Sequence, residues 1–130
     1  MGMCAAAALA GCLTDQAHDG EARGAVLPEN YKADIIAFMR TYLNDPSNVR
    51  DAFITEPAIK PVGSRSQYVA CVRYNAKNTD GKYMGSKYGL AVFERGRFDR
   101  MIDQFPKGTV NPCVDAAEYK HFPELEALTR

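Results

Sequence analysis

The spacing of apolar side chains between residues 28 and 43 is the clearest pattern in the chain. They recur at intervals of three, four or seven residues, at Tyr31, Ile35, Phe38, Met39 and Tyr42. Such intervals place side chains on one face of an α-helix. Pro28 suits a first helical turn, and Pro46 disfavours helical geometry at the residue before it. The pattern therefore predicts one amphipathic helix from Pro28 to Leu43.

Beyond this helix, the apolar positions change to the two-residue alternation of β-strands. Residues 49–59 alternate loosely and end among prolines, which indicates an edge strand or extended arm. Further strands are predicted over residues 67–75, 87–94 and 98–103, with single helical turns near 115–119 and 124–128. The predicted fold is therefore α+β, with one N-terminal amphipathic helix packed on a three- to four-stranded antiparallel sheet, arranged as a meander.

The length and charge of the chain limit the classes of function that it can serve. Its 130 residues are enough for one ordinary domain. Lys plus Arg number 16 and Asp plus Glu number 16, so the formal net charge is zero. A general nucleic-acid-binding protein needs surplus positive charge to displace counterions from phosphates, so no nucleic-acid partner is predicted.

The first twelve residues, M-G-M-C-A-A-A-A-L-A-G-C, are small and mostly apolar. The segment Leu9-Ala10-Gly11-Cys12 resembles the lipobox of bacterial lipoprotein signal peptides. The resemblance implies that residues 1–11 are the remnant of a signal peptide and that Cys12 carries a lipid. Because no Lys or Arg precedes Cys12, we expect the true start to lie upstream. The alternative is an alanine-rich N-terminal helix of a cytosolic protein.

Residues 12–27 have the composition of a flexible linker, rich in small, polar and charged side chains without an apolar face. The predicted organisation is a lipid-anchored flexible tether over residues 12–27, followed by a single α+β domain over residues 28–130. Leu13, rather than an aspartate, follows the cysteine. By resemblance to the sorting of enteric lipoproteins, this implies anchoring in the outer membrane, facing the periplasm.

The four cysteines divide between the N-terminal segment and the predicted domain, where Cys71 and Cys113 lie 42 residues apart. No C-x-x-C pair occurs, so neither a zinc knuckle nor a thioredoxin-type motif is present. In an oxidising envelope, a disulfide between Cys71 and Cys113 is predicted, and it would hold the C-terminal tail on the sheet. The alternative is two free thiols, with Cys71 as a small apolar core residue.

The segment Asn75–Gly85 reads N-A-K-N-T-D-G-K-Y-M-G and joins two predicted strands. Together with L-N-D-P-S at residues 43–47, it resembles a pattern shared by small exported bacterial proteins of unknown function. The resemblance covers about residues 30–95 and implies no activity. Asn and Gly adopt turn conformations readily, so the segment is either a purely structural turn or a recognition loop. The candidate recognition residues are Asn75, Lys77, Asn78 and Tyr83.

The sequence contains no pattern typical of catalysis. There are two histidines, His18 and His121, and no serine lies in a G-x-S-x-G context. No metal, cofactor or small-molecule ligand is predicted. The expected function is that of a non-enzymatic envelope lipoprotein that binds a protein partner or supports envelope assembly. The alternatives are a soluble periplasmic binding or inhibitor module and an enzyme with an unrecognised site.

Overall fold

The structure, a computed structural model, describes residues 25–129. Within this part of the chain there are two helices and six strands. The helices are α1 (Tyr31–Tyr42) and α2 (Pro123–Glu126). The strands are β1 (Asp45–Ile54), β2 (Ala58–Val62), β3 (Arg65–Lys77), β4 (Lys87–Glu94), β5 (Arg97–Ile102) and β6 (Lys120–His121). The fold is α+β with an antiparallel sheet, which confirms the predicted class.

The sheet has the strand order β5-β4-β3-β1-β6, and β2 also pairs with β3. Both β1 and β2 lie along the same edge of β3, because Ile54 is opposite Val72 and Ala58 is opposite Val69. The segment from β1 to β3 is therefore one long hairpin, interrupted at residues 55–57. At that interruption the Thr55 Oγ1 accepts a hydrogen bond of 2.8 Å from the backbone N–H of Cys71.

Five details of the predicted fold were wrong. The sheet has six strands instead of three or four, and the helix begins at Tyr31, three residues after the predicted Pro28, so it does not lie at the N-terminus of the chain. The meander holds from β1 and β2 through β3 and β4 to β5, and only β6 departs from it, by returning beside β1. The first strand is not an edge, since β1 pairs with both β3 and β6. It also begins at Asp45, within the segment that was predicted only to end the helix.

One face of the sheet is covered by the two helices. The helix residues Ile35 and Met39 are fully buried there, as the periodic pattern predicts. They pack with Phe93 of β4 and with Phe122 and Leu125 from the end of the described chain. The predicted helical turn near residues 124–128 corresponds to α2, whereas residues 115–119 form no helix.

The opposite face of the sheet is covered by the segment between β5 and β6. Cys71 of β3 is bonded to Cys113 of this segment, with the two Cα atoms 5.3 Å apart, so the predicted disulfide is present. Around the bond, Val69, Leu90 and Val92 form a second apolar cluster. The disulfide therefore holds an otherwise irregular segment against the sheet.

The helix is joined to β5 by an ion pair between Asp34 and Arg97. The stability that this pair contributes should depend on pH. Asp34 accepts hydrogen bonds of 2.9 Å and 3.0 Å from the Arg97 guanidinium and one of 3.0 Å from the Phe98 N–H. The Arg97 bonds hold the pKa of Asp34 below its ordinary value, although partial burial acts in the opposite direction. The stabilisation is therefore complete above the pKa of the unfolded chain and is lost as the pH falls through the folded pKa.

We expect the wild-type domain to lose more stability than Asp34→Asn as the pH falls below about 4, because only wild type loses an ion pair there. Urea unfolding at a series of pH values measures the difference between the two proteins. At higher pH, where Asp34 stays ionised in both the folded and the unfolded chain, the difference in unfolding free energy between the two proteins should be constant. Two stability curves that stay parallel through the acid range would show that Asp34 does not titrate with folding.

Candidate functional site

The predicted recognition loop between β3 and β4 is held in shape by its own asparagines. Asn78 Oδ1 accepts hydrogen bonds from the backbone N–H groups of Asp80 and Lys82, at 2.9 Å and 3.0 Å. Asn75 Oδ1 accepts another, of 3.0 Å, from the N–H of Gly85. Asn75 and Asn78 therefore serve the loop backbone, as in the structural interpretation of this segment.

The loop presents Tyr83 to β1. The Tyr83 hydroxyl donates a hydrogen bond of 2.5 Å to the carbonyl of Asn48, and the Arg50 guanidinium carbon lies 3.9 Å from the ring centroid. The Lys77 Nζ lies 5.6 Å from the same centroid. These side chains line an open cavity of about 460 Å³, called here the Arg50–Tyr83 cavity, together with Val49 and Glu126.

The backbone of β1 is distorted where it contacts Tyr83. Asn48 and Asp51 have φ values of 58° and 51°, in the left-handed region that residues other than glycine seldom adopt. The pairing of β1 with β3 shifts register on both sides of Arg50. Such bulges change the direction in which a side chain points, and backbone strain of this kind is typical of functional sites.

The structure thus separates the four predicted recognition residues into two pairs. Lys77 and Tyr83 come together at the cavity, whereas Asn75 and Asn78 are engaged within the loop. Arg50 could not be predicted as a site residue, because it lies 33 positions before Tyr83 and has no distinguishing local pattern. Only the pairing of β1 with β3 brings it to the loop.

A larger groove lies on the face of the sheet that carries the disulfide. Its volume is about 1010 Å³, and its apolar floor is formed by Val69, Cys71 and Leu90. One wall is β2 with the preceding residues, and the other is the segment from Pro112 to Lys120. We call it the disulfide groove.

The wall formed by the segment from Pro112 to Lys120 is stabilised by Tyr119. Its hydroxyl donates a hydrogen bond of 2.7 Å to the carbonyl of Cys113. Burial raises the pKa of Tyr119 to about 12, so its hydroxyl remains a donor at neutral pH. At the rim, Lys120 pairs with Glu56 at 2.8 Å. The hydrogen bond from Lys120 lowers the pKa of Glu56, so both groups are charged at neutral pH. The groove therefore combines an apolar floor with a charged rim.

The outer edge of β2 borders the same groove, and no strand within residues 25–129 pairs with it. The two-residue turn Gly63–Ser64 joins Val62 to Arg65. The alternation of antiparallel pairs then turns the backbone groups of Ile59 and Pro61 outward. Pro61 has no N–H, so this edge offers one N–H and two carbonyls. That is enough for a short paired segment and too little for a long added strand.

Several groups suited to acid–base chemistry, among them His121, Glu126 and Tyr42, are engaged in structural contacts. His121 Nε2 lies 2.7 Å from Glu126 Oε1, and the other Glu126 oxygen accepts the backbone N–H of Ala52 at 3.0 Å. Burial raises the pKa of Tyr42, whose hydroxyl donates to Asp103. Across residues 25–129, no three His, Cys, Asp or Glu side chains lie together so as to hold a metal ion.

No protein-family model, curated protein or solved structure matches the chain. In the part of the chain that the structure describes, no helix is long and apolar enough to cross a membrane. The predicted lipid-bearing Cys12 lies outside the described residues, as do residues 1–11 and most of the predicted tether.

Proposed function

We propose that this protein is a non-enzymatic lipoprotein of the bacterial cell envelope that binds an extended segment of a protein partner in the disulfide groove. The observation that carries this proposal is the groove itself, with an apolar floor beside an unpaired strand edge. A peptide there would bury apolar side chains against Val69 and Leu90. Its backbone would pair with the outward groups of Ile59, a form of β-augmentation.

The shape of the groove favours a short extended peptide over a compact ligand. Its volume of about 1010 Å³ is at the upper end of the range for sites that enclose a small molecule. The walls include the partly buried Pro57 and the exposed Pro61 and Pro112, rigid side chains that do not compete for hydrogen bonds. The charged pair of Glu56 and Lys120 lies at the rim, so it suits the polar margin of an interface.

Location in the envelope is supported by two features of the chain. Disulfides persist mainly in oxidising compartments, and the bond between Cys71 and Cys113 lies within the second apolar cluster. The resemblance of Leu9–Cys12 to a lipobox supplies an anchor, and residues 12–27 supply a tether. We propose the outer membrane, on its periplasmic side, as the site of anchoring.

The binding proposal is tested with peptides selected from a random library on the full chain. We expect Ala117→Trp to weaken the binding of the selected peptides at least about tenfold, because the added indole occupies the groove. Ala117 is an exposed groove residue, so this variant should fold. The matched control is Val110→Trp, an exposed position outside the groove. Peptides that bind Ala117→Trp and wild type equally would show that the groove is not the site.

The anchoring proposal has a separate test. The gene is expressed from its native upstream region in the parent bacterium, and the mature protein is fractionated and weighed intact. A membrane-bound chain that begins at a lipid-bearing Cys12, and that becomes soluble as Cys12→Ala, is the expected result. A soluble chain that retains residues 1–11 would exclude the lipoprotein interpretation and leave the peptide result standing.

A further inference from the structure

We propose that the Arg50–Tyr83 cavity is a binding site for a phosphate group. This site is distinct from the disulfide groove, and the two share no lining residue. Three observations support a phosphate site here: a cationic lining, an arginine stacked on an aromatic ring, and a backbone distortion that directs that arginine. Each of them is independent of the proposed peptide site.

The charges around the cavity favour an anion. Arg50 and Lys77 both line it, and both lie close to the Tyr83 ring. Glu126 is the carboxylate among the lining residues, and its two oxygens are already engaged by Ala52 and His121. The lining therefore has an excess of positive charge in a protein whose formal net charge is zero.

The stacking of Arg50 on Tyr83 prepares the guanidinium for an oxyanion. An arginine that lies over an aromatic ring keeps the N–H groups at its planar edge available, and these match two oxygens of a phosphate. The ring is itself held, because the Tyr83 hydroxyl donates to the Asn48 carbonyl. Binding would therefore lose little side-chain freedom, since the arginine is partly ordered beforehand.

The distortion of β1 is the third observation. A regular strand would continue its pairing with β3 through Arg50, but the register shifts on both sides of this residue. Asn48 and Asp51 flank it with a left-handed backbone, a conformation that Asn and Asp adopt more readily than other non-glycine residues. These bulges take Arg50 out of a regular strand geometry and place its guanidinium over the Tyr83 ring.

A titration of the full chain with inorganic phosphate, followed by NMR of the backbone amides of Lys77 and Tyr83, tests the proposal. Arg50→Gln is expected to weaken phosphate binding about tenfold or more, because a charged, bidentate contact is lost. The arginine is exposed, so the variant should fold as wild type does. Lys107→Gln removes the same charge from an exposed position elsewhere and should bind phosphate as wild type does.

Binding to lipid vesicles identifies the source of the phosphate group. Vesicles of phosphatidylcholine mixed with phosphatidylglycerol, compared with pure phosphatidylcholine, show whether a lipid headgroup supplies the phosphate. Arg50-dependent binding to the mixed vesicles assigns the site to a headgroup. Arg50-dependent binding of inorganic phosphate without vesicle binding assigns it to a soluble phosphate or phosphoester.

Three results would overturn the phosphate site. They are an absence of response to both phosphate and mixed vesicles, equal binding by wild type and Arg50→Gln, and acetate binding as tight as that of phosphate. Ala117→Trp, which blocks the disulfide groove, should leave phosphate binding unchanged. Failure of the peptide proposal is therefore distinguishable from failure of this one.

Discussion

Replacing both Cys71 and Cys113 with alanine is expected to lower the free energy of unfolding by about 4 kcal/mol. The disulfide closes a loop of 42 residues, and the chain-entropy model gives a stabilisation of that size for such a loop. Domains of this length are stable by only about 5–15 kcal/mol in total. The melting temperature should therefore fall by roughly 15–30 °C, measured by calorimetry or circular dichroism.

Reducing agents provide the control for this prediction. The wild-type domain should lose stability when it is reduced, whereas the double variant should be insensitive to the reductant. Amide hydrogen exchange should show the earliest loss of protection in the irregular segment between β5 and β6, because Cys113 holds this segment on the sheet. An oxidised wild type and a double variant of equal stability would contradict the proposed role of the disulfide.

Replacing Phe122 with alanine is expected to cost about 3–5 kcal/mol of unfolding free energy, the range for truncating a buried phenylalanine. Phe122 is completely buried and packs in the cluster formed by α1, β1 and β4. Its backbone N–H donates to the carbonyl of Ala52 at 2.8 Å, and alanine keeps that bond. The loss of unfolding free energy therefore reports the contribution of the side chain alone. It is measured by urea unfolding of the two proteins.

Phe105 is the matched control for Phe122. It lies in the same C-terminal part of the chain, but it is only partly buried, against the second apolar cluster. We expect Phe105→Ala to cost about 1–2 kcal/mol, because less apolar area returns to water. Equal losses at the two positions would show that the end of the described chain does not belong to the main core.

The main elements of the fold could be predicted because each has a local pattern. The helix pattern predicted the burial of Ile35 and Met39, and the apolar run from Leu90 to Phe93 predicted β4 with its observed bounds. Strand β6 could not be found in this way, since two polar residues carry no periodic signal. It exists because Phe122 and Leu125 are buried nearby and bring Lys120 and His121 beside β1.

The candidate sites also contain one part with a local sequence signal and one part without. The loop that contains Lys77 and Tyr83 could be predicted, because its Asn and Gly residues indicate a turn. Arg50 could not, because its contact with Tyr83 depends on long-range pairing and on bulges in β1. The disulfide groove could not be predicted from the sequence either, because its floor and walls come from β2, β3, β4 and the C-terminal segment.

The α+β class, the amphipathic helix, most of the strands and the two cysteines of the disulfide could be read from the chain alone. They follow from periodicity and composition, which act between residues that are near in the chain. Three further features became apparent only in the folded domain: β1 lies inside a six-stranded sheet, the C-terminal segment covers the second face of that sheet, and Arg50 stacks on Tyr83. Those features arise from contacts between residues far apart in the chain, and they are selected by the burial of apolar area and by the closing of the disulfide.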